Sequence, residues 1–569
     1  MLSNPKTLWS LAFLISLIWS LFVAGIFQQD LINLGGIQLV GDFLTACFSP
    51  ELSREFLHLT LNATLKTLAF AVCGTFFSLI IGLLAGLFAS EVWWCAVAPN
   101  NSATPWLIMR GLLAIPRSIH EAIWGLFLVN IIGLNSLVGI LGIAIPFGAI
   151  TAKVFSEILD ETPRHVLLAL LNNGVAPLPA FLYSLFPQAF LNLLSYSFYR
   201  LECAMRAAAV LGIIGAGGLG YEIFLSMQSL NYRQVWTLLI ALVILTGSTD
   251  LWSSALRHRL GAPSRLDINI NRGNSANSKF KIQSSRLRNH SDTFNHSSWL
   301  VKFSVCLAII LVILSFWSVR SDFSQLWSPR TLNNFHAFTG ELFPPNFTQL
   351  GKLFSLAQRT FAMSILAITF AGLGGVILSF PAASNFLLPG GLLNPVCLPQ
   401  NLAPVRNLLN LIVLTLTRVI LLFARAIPEP IWALLFLFIL FPGILPGAIA
   451  LGLHNLGILG RLMAEVIENL DQRPLRSLST LGATGSQIFC YGVVPLTLPR
   501  FLAYILYRWE VCIRTTVIVG LVGAGGLGRL LKEQLTSLDY PSVLTTLLMF
   551  IVLTLLVDII SSTMRGSLR

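Results

Sequence analysis

Two acid–base pairs stand inside otherwise apolar stretches, Glu202 with Arg206 and Glu510 with Arg514. In each the acid precedes the base by four residues, the helical spacing at which a carboxylate and a guanidinium share a face. Ionised groups at bilayer depth cost about 2.5–3.5 kcal/mol or more each, so such side chains must face a protein interior or an aqueous path. Arg117 with Glu121 and Arg425 with Glu429 repeat the spacing upstream with the order reversed. Two chemistries fit. The pairs could orient helices as buried ion pairs, or their guanidinium forks could form a positive path that grips an oxyanion by two oxygens at once. Asp250 and Asp558, matched near the inner end of a later span, read as cap or interface groups.

Each acid–base pair leads into a glycine run. The first comprises Gly212, Gly215, Gly217, Gly218 and Gly220; the second, displaced by 308 positions, comprises Gly520, Gly523, Gly525, Gly526 and Gly528. Over Tyr199 to Tyr232 and Tyr507 to Tyr540, fourteen of thirty-four residues are identical, which marks one module duplicated and fused. The spacing Gly215-x-Gly217-x-x-Gly220 imitates a dinucleotide fingerprint, but an apolar span precedes it where a β-strand would be required. Glycines instead let a helix break and let backbones approach closely. A break at the outer end of the fifth span in each half would line a shared cavity with free N–H donors suited to an oxyanion. Helix packing alone is the competing reading.

The elements that position these groups follow from composition. The chain of 569 residues is 55% hydrophobic and 11% charged, with mean hydropathy +0.78. Runs of about 20 apolar residues, the length that crosses ~30 Å of hydrocarbon, recur along it. The fold class is therefore an all-α polytopic membrane protein of about 12 transmembrane helices. Spans are expected near 8–27, 63–90, 106–132, 136–158, 180–214 and 235–256, then near 299–319, 360–388, 408–440, 444–466, 489–521 and 543–563. The first is read as a span and not as a cleaved signal, because only Lys6 precedes it and no small-x-small site follows.

The organisation is a first membrane module over 1–262, a linker over 263–298 and a second module over 299–569. Residues 257–292 hold eight Lys or Arg against Asp267 and Asp292, so the linker reads as a disordered, basic, cytoplasmic segment. An even number of spans per module makes the halves parallel repeats and leaves both termini in the cytoplasm. The acidic segment from Asp30 to His58 then lies outside. The net charge of +12 reflects basic cytoplasmic segments and not nucleic-acid binding. The eight cysteines form no CxxC pair and read as packing residues, and no metal site is expected. His120-Glu121 lacks the second His of a zinc-protease helix, and no Gly-x4-Gly-Lys-Ser/Thr loop occurs. The chain therefore carries no ATPase site or cofactor of its own, and its energy must come from another subunit or an ion gradient.

Between the fourth and fifth spans each half has a polar loop containing a Gly followed thirteen residues later by a Pro, Gly174 with Pro187 and Gly482 with Pro495. This resembles the cytoplasmic signature of binding-protein-dependent ABC importer permeases, Glu-Ala-Ala, three residues, Gly, then a Leu-Pro pair. The family's Glu falls on Leu168 and Arg476; the next Ala is kept as Ala169 and replaced by Ser477. Leu506-Tyr-Arg-Trp-Glu510-Val-Cys-Ile-Arg514 with its glycine run, and Arg425-Ala-Ile-Pro-Glu429-Pro-Ile-Trp432, resemble the phosphonate-transporter permease family. Methionine importers share the glycine run, but the Tyr-Arg-x-Glu-x-x-x-Arg lead-in is similar to the phosphonate group.

The resemblance implies two fused type I ABC importer transmembrane domains in a bacterial inner membrane. It implies two copies of a separate ATPase, which binds the ATP, docked on the loops near 162–176 and 470–485, and a periplasmic binding protein that delivers a phosphonate, phosphite or phosphate. Two alternatives remain: an ion-coupled secondary transporter of two parallel six-helix repeats, with Glu202 and Glu510 as protonatable groups, or an ABC permease for another solute such as methionine.

Overall fold

The computed structural model describes residues 5–26, 32–98, 103–259, 294–319, 322–388 and 403–568. Most of the expected linker over 263–298 lies outside these residues. The described chain is helical, with a single isolated antiparallel bridge between Ile32 and Leu440. Among the described residues, ten helices are long and apolar enough to cross a membrane, or eleven with one bent pair counted as a span, and the 19-residue apolar helix Pro5–Val23 precedes them. The all-α polytopic architecture is thus established.

Each half presents the same series. The first runs through Arg54–Ala89, the pair Ala103–Ser118 and Glu121–Ile132, Ser136–Glu161, a short His165–Asn172, the long Pro177–Leu211, Leu219–Gln228 and Tyr232–Arg259. The second runs through Leu350–Ala382, Ala403–Ala426 and Glu429–Ile439, Ile444–Glu468, a short Gln472–Thr480, Val494–Val519, Gly526–Thr536 and Tyr540–Leu568.

The third span departs from the straight helix expected over 106–132: it bends by 82° between Ser118 and Glu121. Its mate ends at Ala426 and resumes at Glu429. The causes are local. Pro428 has no N–H to continue the ladder and pushes Ile427 toward extended backbone, while the His120 side chain accepts from Ala122 N and so caps a new helix start. A tryptophan staples each bend in the same way. Trp124 Nε1 donates to Pro116 O at 3.2 Å, and Trp432 Nε1 donates to Ala424 O at 3.3 Å.

The chain divides into two compact units that do not follow the repeat boundary. One comprises Met1–Glu51, Ser226–Leu239 and Phe335–Arg569; the other comprises Leu52–Leu225 and Ile240–Asn334. The opening helix therefore belongs with the second half, where Trp19, Val23 and Ala24 pack on the core of Met363, Leu451 and Cys512. The helix Phe294–Val319 belongs with the first half, where Val312, Phe316 and Val319 pack on the core of Phe70, Ile143 and Met205. Within each unit the second and fourth spans lie in close contact through small residues. A Cβ at Gly82 would fall 2.5 Å from Thr151, and one at Gly375 3.1 Å from Leu459. In lipid, where apolar burial gives helices no mutual attraction, such close approach supplies the van der Waals contact that joins them.

Candidate functional site

Three places in each repeat carry polar chemistry: the short helix before the long fifth span, the acid–base groups within the spans, and the glycine break after it. The short helices end in one backbone pattern. Gly174 N donates to Leu171 O at 3.0 Å and Val175 N to Leu170 O at 3.1 Å; Gly482 N donates to Ser479 O at 3.1 Å and Ala483 N to Leu478 O at 3.2 Å. This is a Schellman stop, and it puts Gly174 and Gly482 at φ +82° and +83°. A Cβ at either glycine would meet nothing within 4 Å, so the left-handed backbone alone selects the residue. Ala169 lies within the first short helix and Arg476 within the second. Pro187 lies ten residues into the long helix that begins at Pro177, whereas Pro495 stands in the first turn of Val494–Val519.

A duplicated polar clamp holds the spans just before these short helices. Asp160 accepts from Ser90 Oγ at 2.6 Å, Val92 N at 3.1 Å and Arg110 Nη2 at 3.3 Å. Glu468 accepts from Ser384 N and Oγ at 2.9 Å and from Arg418 Nη2 at 2.6 Å. Arg110 and Arg418 also donate to Ala89 O and Ala382 O, so one carboxylate and one guanidinium tie the ends of three spans together. Asp160 and Glu468 were not singled out by sequence reasoning, although they match at the same 308-residue displacement. Glu468→Gln should lower the apparent unfolding temperature of the detergent-solubilised protein, by the equivalent of about 1–3 kcal/mol, because a half-buried charge-assisted bond is lost. An unchanged melting curve would show that the clamp does not hold these ends.

Among the acid–base groups the expected symmetry fails. Arg206 Nη2 lies 3.6 Å from Glu202 Oε1, a pairing that the four-residue spacing allows. The pairing expected between Glu510 and Arg514 does not form. Arg514 Nη2 instead donates to both oxygens of Asp558, at 3.2 and 3.0 Å, and Glu510 accepts from Arg565 Nη1 at 2.5 Å. Both new partners lie on the last helix, Tyr540–Leu568, where Asp558 offers Arg514 two oxygens at once. Asp558 is thus an ion-pair partner and not a helix cap. At the bends, Glu121 Oε2 lies 3.1 Å from His120 Nδ1, and the buried Glu429 lies 3.3 Å from His454 Nε2. His454 Nδ1 is 2.9 Å from Ile427 O, a carbonyl that can only accept, so that nitrogen carries the hydrogen. Arg117 and Arg425 close the last turn of the helix before each bend.

The glycine break is built twice with one geometry. Gly215, Gly217 and Gly218 have φ of +114°, +93° and +80°; Gly523, Gly525 and Gly526 have +111°, +81° and +72°. The following helix folds back so closely that a Cβ at Gly220 would fall 1.8 Å from Ala209 O, and one at Gly528 2.2 Å from Val517 O. Gly212 and Gly520 face Gly217 O and Gly525 O in the same manner, with an added Cβ at 2.8 Å in each. A threonine on the second span caps the new helix: Leu219 N donates to Thr67 Oγ1 at 2.8 Å, and Leu527 N to Thr360 Oγ1 at 2.9 Å. The first amide after the break is therefore engaged and not a free donor.

In the first half the break lines an open cavity of about 760 Å³, together with Glu55, His58, Asn62, Lys66, Asn135 and Glu222. Lys66 is exposed and reaches the break, its Nζ 2.7 Å from where a Gly217 Cβ would stand. Burial holds the Glu222 carboxyl above its ordinary value, against the opposing pull of Lys66. The cavity mixes both signs of charge and is not a plain anion nest.

Comparison with known proteins agrees with this duplicated construction. Residues 82–261 and 403–564 each match the family described as binding-protein-dependent transport system inner membrane component. The chain is 25% identical over 506 residues to the phosphate-import permease protein PhnE of Mycolicibacterium smegmatis, covering 88% of this chain and 84% of that protein. It is 31% identical over 268 residues to the phosphite transport system permease protein PtxC of Stutzerimonas stutzeri, covering 47% of this chain and 89% of that protein. A putative cryptic phosphonate transport system permease protein, PhnE2 of Escherichia coli strain K12, is 32% identical over 117 residues, which is 21% of this chain and 96% of that protein. No solved structure matches the chain. With the family domain present twice in one polypeptide, this protein belongs to the inner membrane components of binding-protein-dependent transport systems, as a tandem fusion of two permease modules.

Proposed function

We propose that this chain forms the whole transmembrane path of an ATP-driven importer for phosphonates or related phosphorus oxyanions, phosphite and phosphate among them. The observation that carries the reading is the paired placement at the two ends of the fifth span. A short helix with a left-handed glycine stop stands at one end and a glycine break at the other, in both halves. The helix Pro177–Leu211 has 35 residues, so at 1.5 Å per residue it spans about 50 Å and can act as a lever across the membrane.

The short helices face the cytoplasm and dock two copies of an ATPase subunit, which binds and hydrolyses the ATP. The glycine breaks then lie at the periplasmic end, where a binding protein delivers the anion. Closure of the ATPases pulls the short helices, and each lever turns about its glycine break. Arg117, Glu121, Glu202, Arg206, Arg425, Glu429, Glu510 and Arg514 tune the charge along the path; both termini are cytoplasmic. The relatives' names, which speak of phosphate and phosphite, support the substrate class.

The test is ATP hydrolysis and uptake in proteoliposomes that hold this chain and its ATPase. Binding protein loaded with phosphite, phosphate or methylphosphonate is expected to stimulate hydrolysis several-fold, and nucleotide state should change binding-protein affinity by the reciprocal coupling. Uptake driven by an ion gradient through this chain alone would overturn the reading in favour of a secondary transporter, and stimulation only by methionine-loaded binding protein would overturn the substrate class.

A further inference from the structure

One buried guanidinium in the first module lacks a partner that its repeat mate possesses. Arg200 and Arg508 occupy the same position of the duplicated frame, each directly after the tyrosine that opens the repeat. Arg508 donates from Nε at 2.9 Å and from Nη2 at 2.5 Å to the Oδ1 of Asn455, itself fully buried and fixed by a bond from Nδ2 to Leu451 O. The position that matches Asn455 in the first module is Phe147. Arg200 therefore sits over an aromatic face, its Cζ 3.8 Å from the Phe147 ring centroid. It is only 6% exposed, and among the described residues its Nε and Nη2 have no hydrogen-bond partner. Tyr196, Cys203, Tyr199 and, more weakly, Glu121 are within electrostatic range, and none of them bonds either nitrogen.

A buried guanidinium with two unsatisfied donors is an expensive arrangement, since each unmade bond forfeits the desolvation of its N–H. A cation–π contact supports the charge but leaves the in-plane donors unused. The unused edge, Nε with Nη2, is the fork that meets two oxygens of a tetrahedral oxyanion side by side. The second module fills the same fork with an amide oxygen. The chemistry is thus one-sided: the first module keeps its fork unfilled and the second keeps it closed.

We propose that Arg200 is the transient anion-holding residue of the translocation path, taking two oxygens of the transported phosphorus oxyanion on Nε and Nη2 while Phe147 supports the guanidinium plane. This rests on the oxyanion-import reading above and adds that the two modules are unequal in it. Arg508, closed by Asn455, has a positioning role only.

The experiment measures stabilisation of the purified full-length chain in detergent against thermal unfolding. The probes are phosphite, inorganic phosphate, methylphosphonate and sulfate, with chloride at equal ionic strength as the control. Stabilisation by the phosphorus oxyanions is expected for the unmodified protein. Arg200→Gln should weaken the apparent affinity about tenfold or more, the loss expected for a pair of charge-assisted bonds. Phe147→Asn, which gives Arg200 the partner that Arg508 has, should weaken it similarly, while the loss of a buried core ring lowers the anion-free unfolding temperature. Arg508→Gln should lower the anion-free temperature and keep the anion response.

An anion response equal to that of the unmodified chain in Arg200→Gln or Phe147→Asn, or no oxyanion response in the unmodified chain, would overturn the proposal. So would loss of the response in Arg508→Gln as large as in Arg200→Gln. A response to sulfate alone that still depends on Arg200 would leave this residue as the holder of an oxyanion and would instead sink the phosphorus assignment.

Discussion

Replacing Gly220 by valine is expected to abolish transport and to remove most of the folded protein from the membrane. The new Cβ would stand 1.8 Å from Ala209 O on the preceding helix and 3.2 Å from Ile213 N in the break, and both atoms are backbone. No flexible side chain can yield there, so the fold-back after the break must open, at a cost of about 3 kcal/mol or more. Gly528→Val should behave alike, because its Cβ would meet Val517 O at 2.2 Å. Gly247→Val is the control, since a Cβ at that position meets nothing within 4 Å. Membrane-fraction abundance by size-exclusion profile, with uptake alongside, reads the outcome. A Gly220→Val protein that is as abundant and active as the Gly247→Val protein would remove the fold-back from any account of this site.

The second large effect is expected at Leu481, which follows the short helix of the second module and is 83% exposed. An apolar side chain so open loses nothing structural when changed, so Leu481→Asp should leave stability within about 0.5 kcal/mol. If the surface docks an ATPase, the buried carboxylate would cost about 2 kcal/mol or more, and stimulated hydrolysis should fall tenfold or more while basal hydrolysis persists. Leu168→Asp is the companion change in the first module, at a side chain 52% exposed on the short helix itself, where the second module has Arg476; the position that matches Leu481 is Asn173. Because Gly174 and Gly482 share one left-handed turn, any inequality between the loops must come from side chains. The second helix carries Arg473 and Arg476 where the first carries His165 and Leu168. Disrupting Gly482 should accordingly harm coupling more than disrupting Gly174. Equal losses in stimulated hydrolysis would cancel that asymmetry, and full stimulation of Leu481→Asp would move docking elsewhere.

Much of the fold was legible because the signals were long. Apolar runs announced the spans, and the frame of 308 residues from about position 110 onward aligned Gly212 with Gly520 and Arg117 with Arg425. What escaped depended on contacts across that frame. The second spans align at a different displacement, Thr67 with Thr360, so the hydroxyl caps that seat both glycine breaks left no trace in the gapless comparison. Arg514 and Glu510 were assigned to each other because four residues is a short-range rule, yet Asp558 and Arg565 on the last helix reach them with better geometry. The 82° bend between Ser118 and Glu121 was hidden because hydropathy averages straight through a corner. Arg200 and Arg508 were visible in the repeated Tyr-Arg pair, but only packing reveals that Phe147 and Asn455 give them opposite surroundings.

The exchanged opening helices bear on biogenesis. Trp19 precedes its aromatic neighbour Phe361 by 342 residues, so the two meet only after that intervening stretch has been made. The unit holding residues 52–225 and 240–334 can be completed during synthesis, while the other must wait for the C-terminal helix. Translation thus imposes an order of maturation on two lobes that look like equals, and a newborn chain must shelter the helix Pro5–Val23 until the helices of the second module arrive. Joining the copies in one gene product guarantees that each borrowed helix finds its host without a search through the bilayer.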